Sequence, residues 1–179
     1  MSTEILRPIG VGDRTDILHQ YPDSGAHWDK VDEVVADEDA TYVFHNVDLG
    51  DPPAMTGDLY ALEDSAIGAG TINSVTAYVR GRGCFGNQEW IQTYIKTEGT
   101  EYIGTQTALT TSYTNYSTVY TTNPKTGLAW TWTEINALQA AGRICASSGG
   151  NGREARKTQV WVVVDYTPTK GRSLGLILG

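Results

Sequence analysis

The chain has 179 residues, a one-domain size, with 40% hydrophobic and 19% charged residues, 20 glycines, 10 tyrosines and 5 tryptophans. A formal charge of −8 disfavours wholesale binding to nucleic acid, which needs a basic face. No apolar run reaches the ~18–20 residues of a membrane span, and Met1 to Pro8 shows no basic segment leading into an apolar one, so neither a membrane partner nor a secretory leader is expected.

The first 40 residues are punctuated by Pro8, Gly10, Gly12, Pro22 and Gly25, and no period survives long. Leu6, Ile9, Val11, Ile17, Leu18, Tyr21 and Trp28 are too apolar for a disordered tail. The segment reads as an extended arm or edge strand lying along a body, its own or a neighbour's. Asp29 to Asp39 form an acidic loop. Strands follow at Thr41–Phe44 and Leu59–Leu62. Between Ile72 and Arg80, Val75, Ala77 and Val79 share one face while Ser74, Thr76, Tyr78 and Arg80 share the other. After a loop through Gly81, Gly83 and Gly86, Glu89, Ile91, Thr93 and Ile95 face one way, and Gln88, Trp90, Gln92, Tyr94 and Lys96 the other. Glu98-Gly99 is a turn, and 101–109 and 113–121 are two more strands. Asn123 to Gly127 is a turn of strong type. Thr131-Trp-Thr-Glu134 fits a capping box and predicts one short helix over about 131–139. Arg143–Ala146 and Gln159–Tyr166 are the last strands, joined by the glycine-rich loop 147–152. Apolar residues on both faces of the final strand predict a central position covered on both sides.

Such spacing spells an all-β fold, an antiparallel β-sandwich with a jelly roll as the favoured topology. The expected organisation is an arm with the acidic loop over 1–40, the sandwich over 41–168, and an apolar tail over 169–179. Charge is uneven along it. Residues 1–64 carry 15 acids against 3 bases, and residues 65–179 carry 6 acids against 10 bases. Either the two halves attract within one domain, or copies pack head to tail.

No reaction centre is legible. There is no zinc-protease motif, no nucleophile elbow and no phosphate loop. His19, His27 and His45 lack metal-ligand spacing, and two cysteines are too few for a disulfide scaffold or a cysteine-based zinc site. Cys84 and Cys145 are either free thiols or a single bridge. Gly81-Arg-Gly83-Cys-Phe-Gly86 copies the glycine spacing of a dinucleotide loop, but an alternating segment follows where a helix must begin. Glu89 and Glu101 are not singled out as a glycosidase pair. The expectation is a non-enzyme without a cofactor. The acidic loop does hold calcium-type ligands, the better pair being Asp37 and Asp39, although an EF-hand spacing is missing.

Binding candidates are aromatic and apolar. Trp90 and Tyr94 share a face with amides and a base, so they fit core, a subunit interface or a sugar platform. Trp161 joins them on the last strand. Leu174, Leu176, Ile177 and Leu178 follow the Thr167-Pro168 stop, and would leave an apolar patch unless they pack on this domain or on a neighbouring copy.

The stretches Tyr21–Glu33 and Asp37–Val43, with Trp130–Gln139 and Thr158–Tyr166, resemble a pattern in small β-sandwich proteins of phages and environmental viral sequences. The resemblance covers most of residues 20–167 and departs after Pro168. It implies a virion structural protein assembled in a host cytoplasm, in a capsid decoration, head-fibre or tail accessory role. Its partners would be other copies of itself and a capsid or tail protein. The acidic N-terminal part would then suit the outside of a shell, away from packaged DNA. The rival reading is a carbohydrate- or receptor-binding module on the same fold, with a glycan as partner.

Overall fold

The computed structural model describes residues 1–46, 54–85, 88–146 and 153–169. Twelve strands are present among them: β1 (Ser2–Leu6), β2 (Pro8–Thr15), β3 (His19–Tyr21), β4 (Tyr42–His45), β5 (Thr56–Leu62), β6 (Thr71–Gly83), β7 (Glu89–Thr97), β8 (Thr100–Ile103), β9 (Thr107–Ala108), β10 (Thr114–Tyr120), β11 (Gln139–Ala146) and β12 (Ala155–Thr167). A 3-10 turn at His27–Lys30 and a helix, α1 (Trp132–Asn136), complete the set.

The strands form two six-stranded sheets. The first runs β10-β6-β12-β4-β3, with β1 also on β12; the second runs β2-β5-β11-β7-β8, with β9 also on β7. Every pairing is antiparallel. From β4 onward the chain changes sheet at almost every connection. The interleaved orders β4-β12-β6-β10 and β5-β11-β7-β8 are those of a jelly roll. The segment read as an arm contributes β1, β2 and β3, which pair with β12, β5 and β4 of the same chain. Pro8 opens β2, an edge strand, where its missing N–H costs no ladder bond. In the gap that β1 and β4 leave along β12, the Val160 N–H donates to Val31 O at 2.8 Å.

The inward faces are those the alternation predicts. Val75, Ala77 and Val79 of β6 and Val160, Val162 and Val164 of β12 meet Ile91 and Ile95 of β7 and Ala140 and Ile144 of β11 in one buried cluster. Each buried Val or Ile contributes ~1.5–3 kcal/mol. At Gly142 a Cβ would stand 2.7 Å from Val79 Cγ2, so a glycine is what lets the sheets approach there.

Several boundaries differ from expectation for physical reasons. The capping box forms, with Thr131 accepting from the Glu134 N–H and Glu134 reaching back to Thr131. The helix stops at Asn136 and not near 139, because Gln139 and Ala140 are already paired between β5 and β7. One turn of helix gains less than two ladders of sheet. The strand expected over 101–109 is interrupted at Gly104, whose N–H turns to Thr93 O at 2.9 Å. Gly81 and Gly83 lie inside β6 and the next element is β7, so the dinucleotide-like glycines begin no helix. Glu101 pairs with Lys96 and Glu89 with Ala146, so the two carboxylates do not face each other. Strand β12 is central, but a second sheet covers only its inner face. Loop 147–152 and the tail residues Leu174, Leu176, Ile177 and Leu178 lie outside the described residues.

Candidate functional site

The outer face of the first sheet is built by the period-two register of four strands. Ile5 lies beside Val163, Val163 beside Thr76, and Thr76 beside Val119. The next row runs Trp161, Tyr78, Ser117. Trp161 and Tyr78 stack face to face, with centroids 4.8 Å apart and planes 1° from parallel. Ile5 is 49% exposed and Val119 59%, while Val163, Trp161 and Tyr78 are half-buried. Most antiparallel sheets present polar side chains to water on such a face. Here it carries Ile5, Val163, Val119, Trp161 and Tyr78, interrupted by Thr76.

The other half of the same face is covered by the acidic loop. Arg80 donates to Glu38 (2.5 Å) and Asn115 (2.9 Å), and Arg82 and Arg156 donate to Asp39 at 3.0 and 2.6 Å. The Tyr113 hydroxyl donates to Asp39 at 2.7 Å. Burial would raise the Asp39 pKa, but Tyr113, Arg82 and Arg156 outweigh it and hold the carboxyl below its ordinary value. Glu38 takes φ +58°, a conformation strained for a side chain, and Thr158 donates to its carbonyl at 3.0 Å. Beyond the loop, Arg7 donates to Glu33 O at 2.7 Å and Gln159 to the same oxygen at 2.7 Å, leaving Val34 and Val35 77% and 79% exposed. Among the described residues, Asp13, Glu38, Asp39 and Asp58 of the first part of the chain pair with bases of the second part.

The calcium-type residues Asp37 and Asp39 have hydrogen-bond partners within the chain. Asp37 accepts from Thr41 (2.8 Å) and Thr158 (3.3 Å), and Asp39 is already held by two guanidinium groups. Among the described residues no three His, Cys, Asp or Glu converge to hold a metal ion.

Trp90 and Tyr94 do share the outer face of the second sheet, as their spacing predicts. Tyr94, however, is only 1% exposed, because Arg14 and Arg143 lie over its ring at 6.0 and 5.9 Å. Burial and the neighbouring Glu101 push its phenol pKa up. No ring face of Tyr94 is open for stacking a sugar. Trp90, four residues away on the same strand, is half-buried. Cys84 and Cys145 are both free thiols, Cys145 buried and raised to about 11 by that burial.

One cluster was not visible in sequence. Asp58 of β5 and Lys157 of β12, both 0% exposed, lie 3.7 Å apart and tie the two sheets together. Asp58 Oδ1 accepts from the Asp16 and Ile17 N–H groups, each at 3.0 Å. Its Oδ2 accepts from Tyr60 at 2.8 Å and lies 3.0 Å from His27 Nδ1. Lys157 also donates to Gly142 O at 3.0 Å. Burial alone would raise Asp58, but Lys157, His27, the Ile17 amide and Tyr60 outweigh it and bring its pKa to about 2. Burial lowers Lys157 to about 8. Shut away from solvent, the pair braces the sandwich and holds the segment between β2 and β3 against it. No local sequence pattern points to it, since the residues are far apart in the chain and belong to different sheets.

No protein-family model and no curated protein matches the chain.

Proposed function

We propose that this protein is a non-enzymatic structural component of a virus particle, a capsid decoration or cement protein or a head-fibre or tail accessory. On this reading it is assembled in the host cytoplasm and held in the virion by contacts with further copies of itself and with a capsid or tail protein. The observation that carries the reading is the bare strip of Ile5, Val163, Val119, Trp161 and Tyr78 beside the clamped acidic loop. A strip of this kind gains free energy when another surface covers it. Stacked, half-buried aromatics are the usual anchors of protein interfaces. The jelly roll supplies a stiff block behind it, and the resemblance of residues 20–167 to phage sandwich proteins supplies the context.

The test is assembly. Trp161→Arg is expected to cost ~0.5–1.5 kcal/mol, the worth of its stack on Tyr78, and Ile5→Asp up to ~1 kcal/mol, neither enough to unfold the domain. Each is expected to weaken self-association or binding to particles at least tenfold by light scattering and co-sedimentation. Deletion of residues 169–179 should weaken assembly in the same way without unfolding the domain. A wild-type chain that stays monomeric at every concentration and ignores particles refutes the reading.

A further inference from the structure

A cleft opens at the edge where the sheets part, between β7, the 104–107 connection and β10, with a volume of about 280 Å³. Its lining is mostly hydroxyl-bearing, Thr93, Thr105, Thr107, Ser117 and Thr118, with Asn115, the Tyr116 ring and one aliphatic side chain, Ile91. No charged side chain lines it. Gly104 leaves the floor open, because a Cβ there would collide with the hydroxyls of Thr93 and Thr118.

The hydrogen-bonding capacity of these walls is largely unspent. Thr93 and Thr118 share one bond at 2.6 Å, and whichever hydroxyl accepts still has its own proton to donate. Asn115 and Ser117 project from β10 on the opposite side from Tyr116 and Thr118 and border the cleft only at its rim, with Asn115 Oδ1 accepting from Arg80 at 2.9 Å. β10 is an edge strand, so part of its backbone is also unpaired by the sheet. The Tyr116 ring is oriented by its own hydroxyl, which accepts from the Thr110 N–H at 3.3 Å.

We propose that this cleft binds a neutral saccharide ring. A charged ligand would lose hydration and meet no counter-charge. An apolar ligand would leave the threonine hydroxyls without partners. A polyol answers both demands, since each of its hydroxyls donates and accepts, and its C–H face can lie against Tyr116. The volume is slightly under the ~300–1,000 Å³ of drug-sized pockets, which suits one ring and a millimolar Kd. The site lies on the sandwich edge, away from Trp161 and Ile5, and does not depend on the assembly reading.

The test is an amide chemical-shift titration of the full chain with glucose, galactose, mannose and N-acetylglucosamine, and with glucuronate as the charged control. At least one neutral sugar should shift residues 93, 104–107 and 115–118 saturably, with glucuronate at least tenfold weaker. Thr105→Trp, an exposed loop position, should abolish the shifts. Thr118→Val, which keeps shape and removes one hydroxyl, should weaken binding about fivefold. Trp161→Arg should leave binding unchanged, so failure here and failure of assembly are read separately. The proposal is overturned if no neutral sugar moves these residues at tens of millimolar, if Thr118→Val binds as the parent does, or if glucuronate binds equally well.

Discussion

Replacing Asp58 with Asn is the most informative perturbation of the scaffold. The amide oxygen can still receive the Asp16 and Ile17 N–H groups, but the NH₂ meets donors where Oδ2 met Tyr60, His27 and Lys157. Lys157, 0% exposed, becomes a buried cation with only Gly142 O and the Tyr60 ring at 4.8 Å. Removing one partner of a buried pair costs ~3–5 kcal/mol, a large part of the ~5–15 kcal/mol that holds a domain together. Replacing both, as Asp58→Asn with Lys157→Met, should recover at least ~2 kcal/mol of that loss. Urea unfolding followed by tryptophan fluorescence measures this as a shift in midpoint at unchanged slope. The pH dependence gives a second reading. Lys157 titrates near 8 when folded and 10.5 when free, so the unfolded chain holds more protons between those values and stability rises with pH across about 8–10. Asp58 titrates near 2 when folded and 3.8 when free, so its contribution is present above 3.8 and fades as the pH falls towards 2. The reasoning is refuted if Asp58→Asn costs under ~1 kcal/mol, or if the double variant is simply additive.

Two further outcomes are expected. Glu33 is pushed up to about 7 by burial and by the neighbouring Asp37 and Asp32, despite a bond from Thr41. The folded chain therefore keeps a proton that the unfolded chain loses from 4.5 upward, and stability falls as pH rises towards 7. Glu33→Gln should flatten that slope and raise the melting temperature at pH 8; an unchanged pH profile would contradict it. Thr131→Ala removes the cap of α1, and with it the anchor that sets Glu134 against Asn123 at 2.7 Å. A loss of ~1 kcal/mol in thermal unfolding is expected, and no loss would mean the cap is dispensable.

Legibility followed the physics of each segment. Strands β6, β7 and β12 were readable because one face of each is buried and the other is not, which leaves a period of two in the residues themselves. The Thr131–Glu134 box was readable because it is closed within four residues. The first segment was legible as an extended arm or edge strand, but not as three strands, since Pro8, Gly10 and Gly12 break the period within β2 while an edge strand tolerates them. The charge imbalance announced that the acidic loop had somewhere to go, but not that Arg80, Arg82 and Arg156 would seat it on the sheet. Tyr94 was placed on the right face, and its roof of Arg14 and Arg143 was invisible because those residues arrive from other strands. The Asp58–Lys157 brace and the threonine cleft depend entirely on which strands become neighbours, and no local pattern encodes that.

The pairing of β1 with β12 has a consequence for biosynthesis. Residues 2–6 can find their ladder only after residues 162–166 have left the ribosome, roughly 10–30 seconds later at ~5–20 residues per second. Until then residues 2–6 have no ladder partner. Closure of this sandwich is therefore slow, limited by a pairing between residues about 160 positions apart. In a crowded cell that interval is the time during which an unfinished edge meets the edges of its siblings.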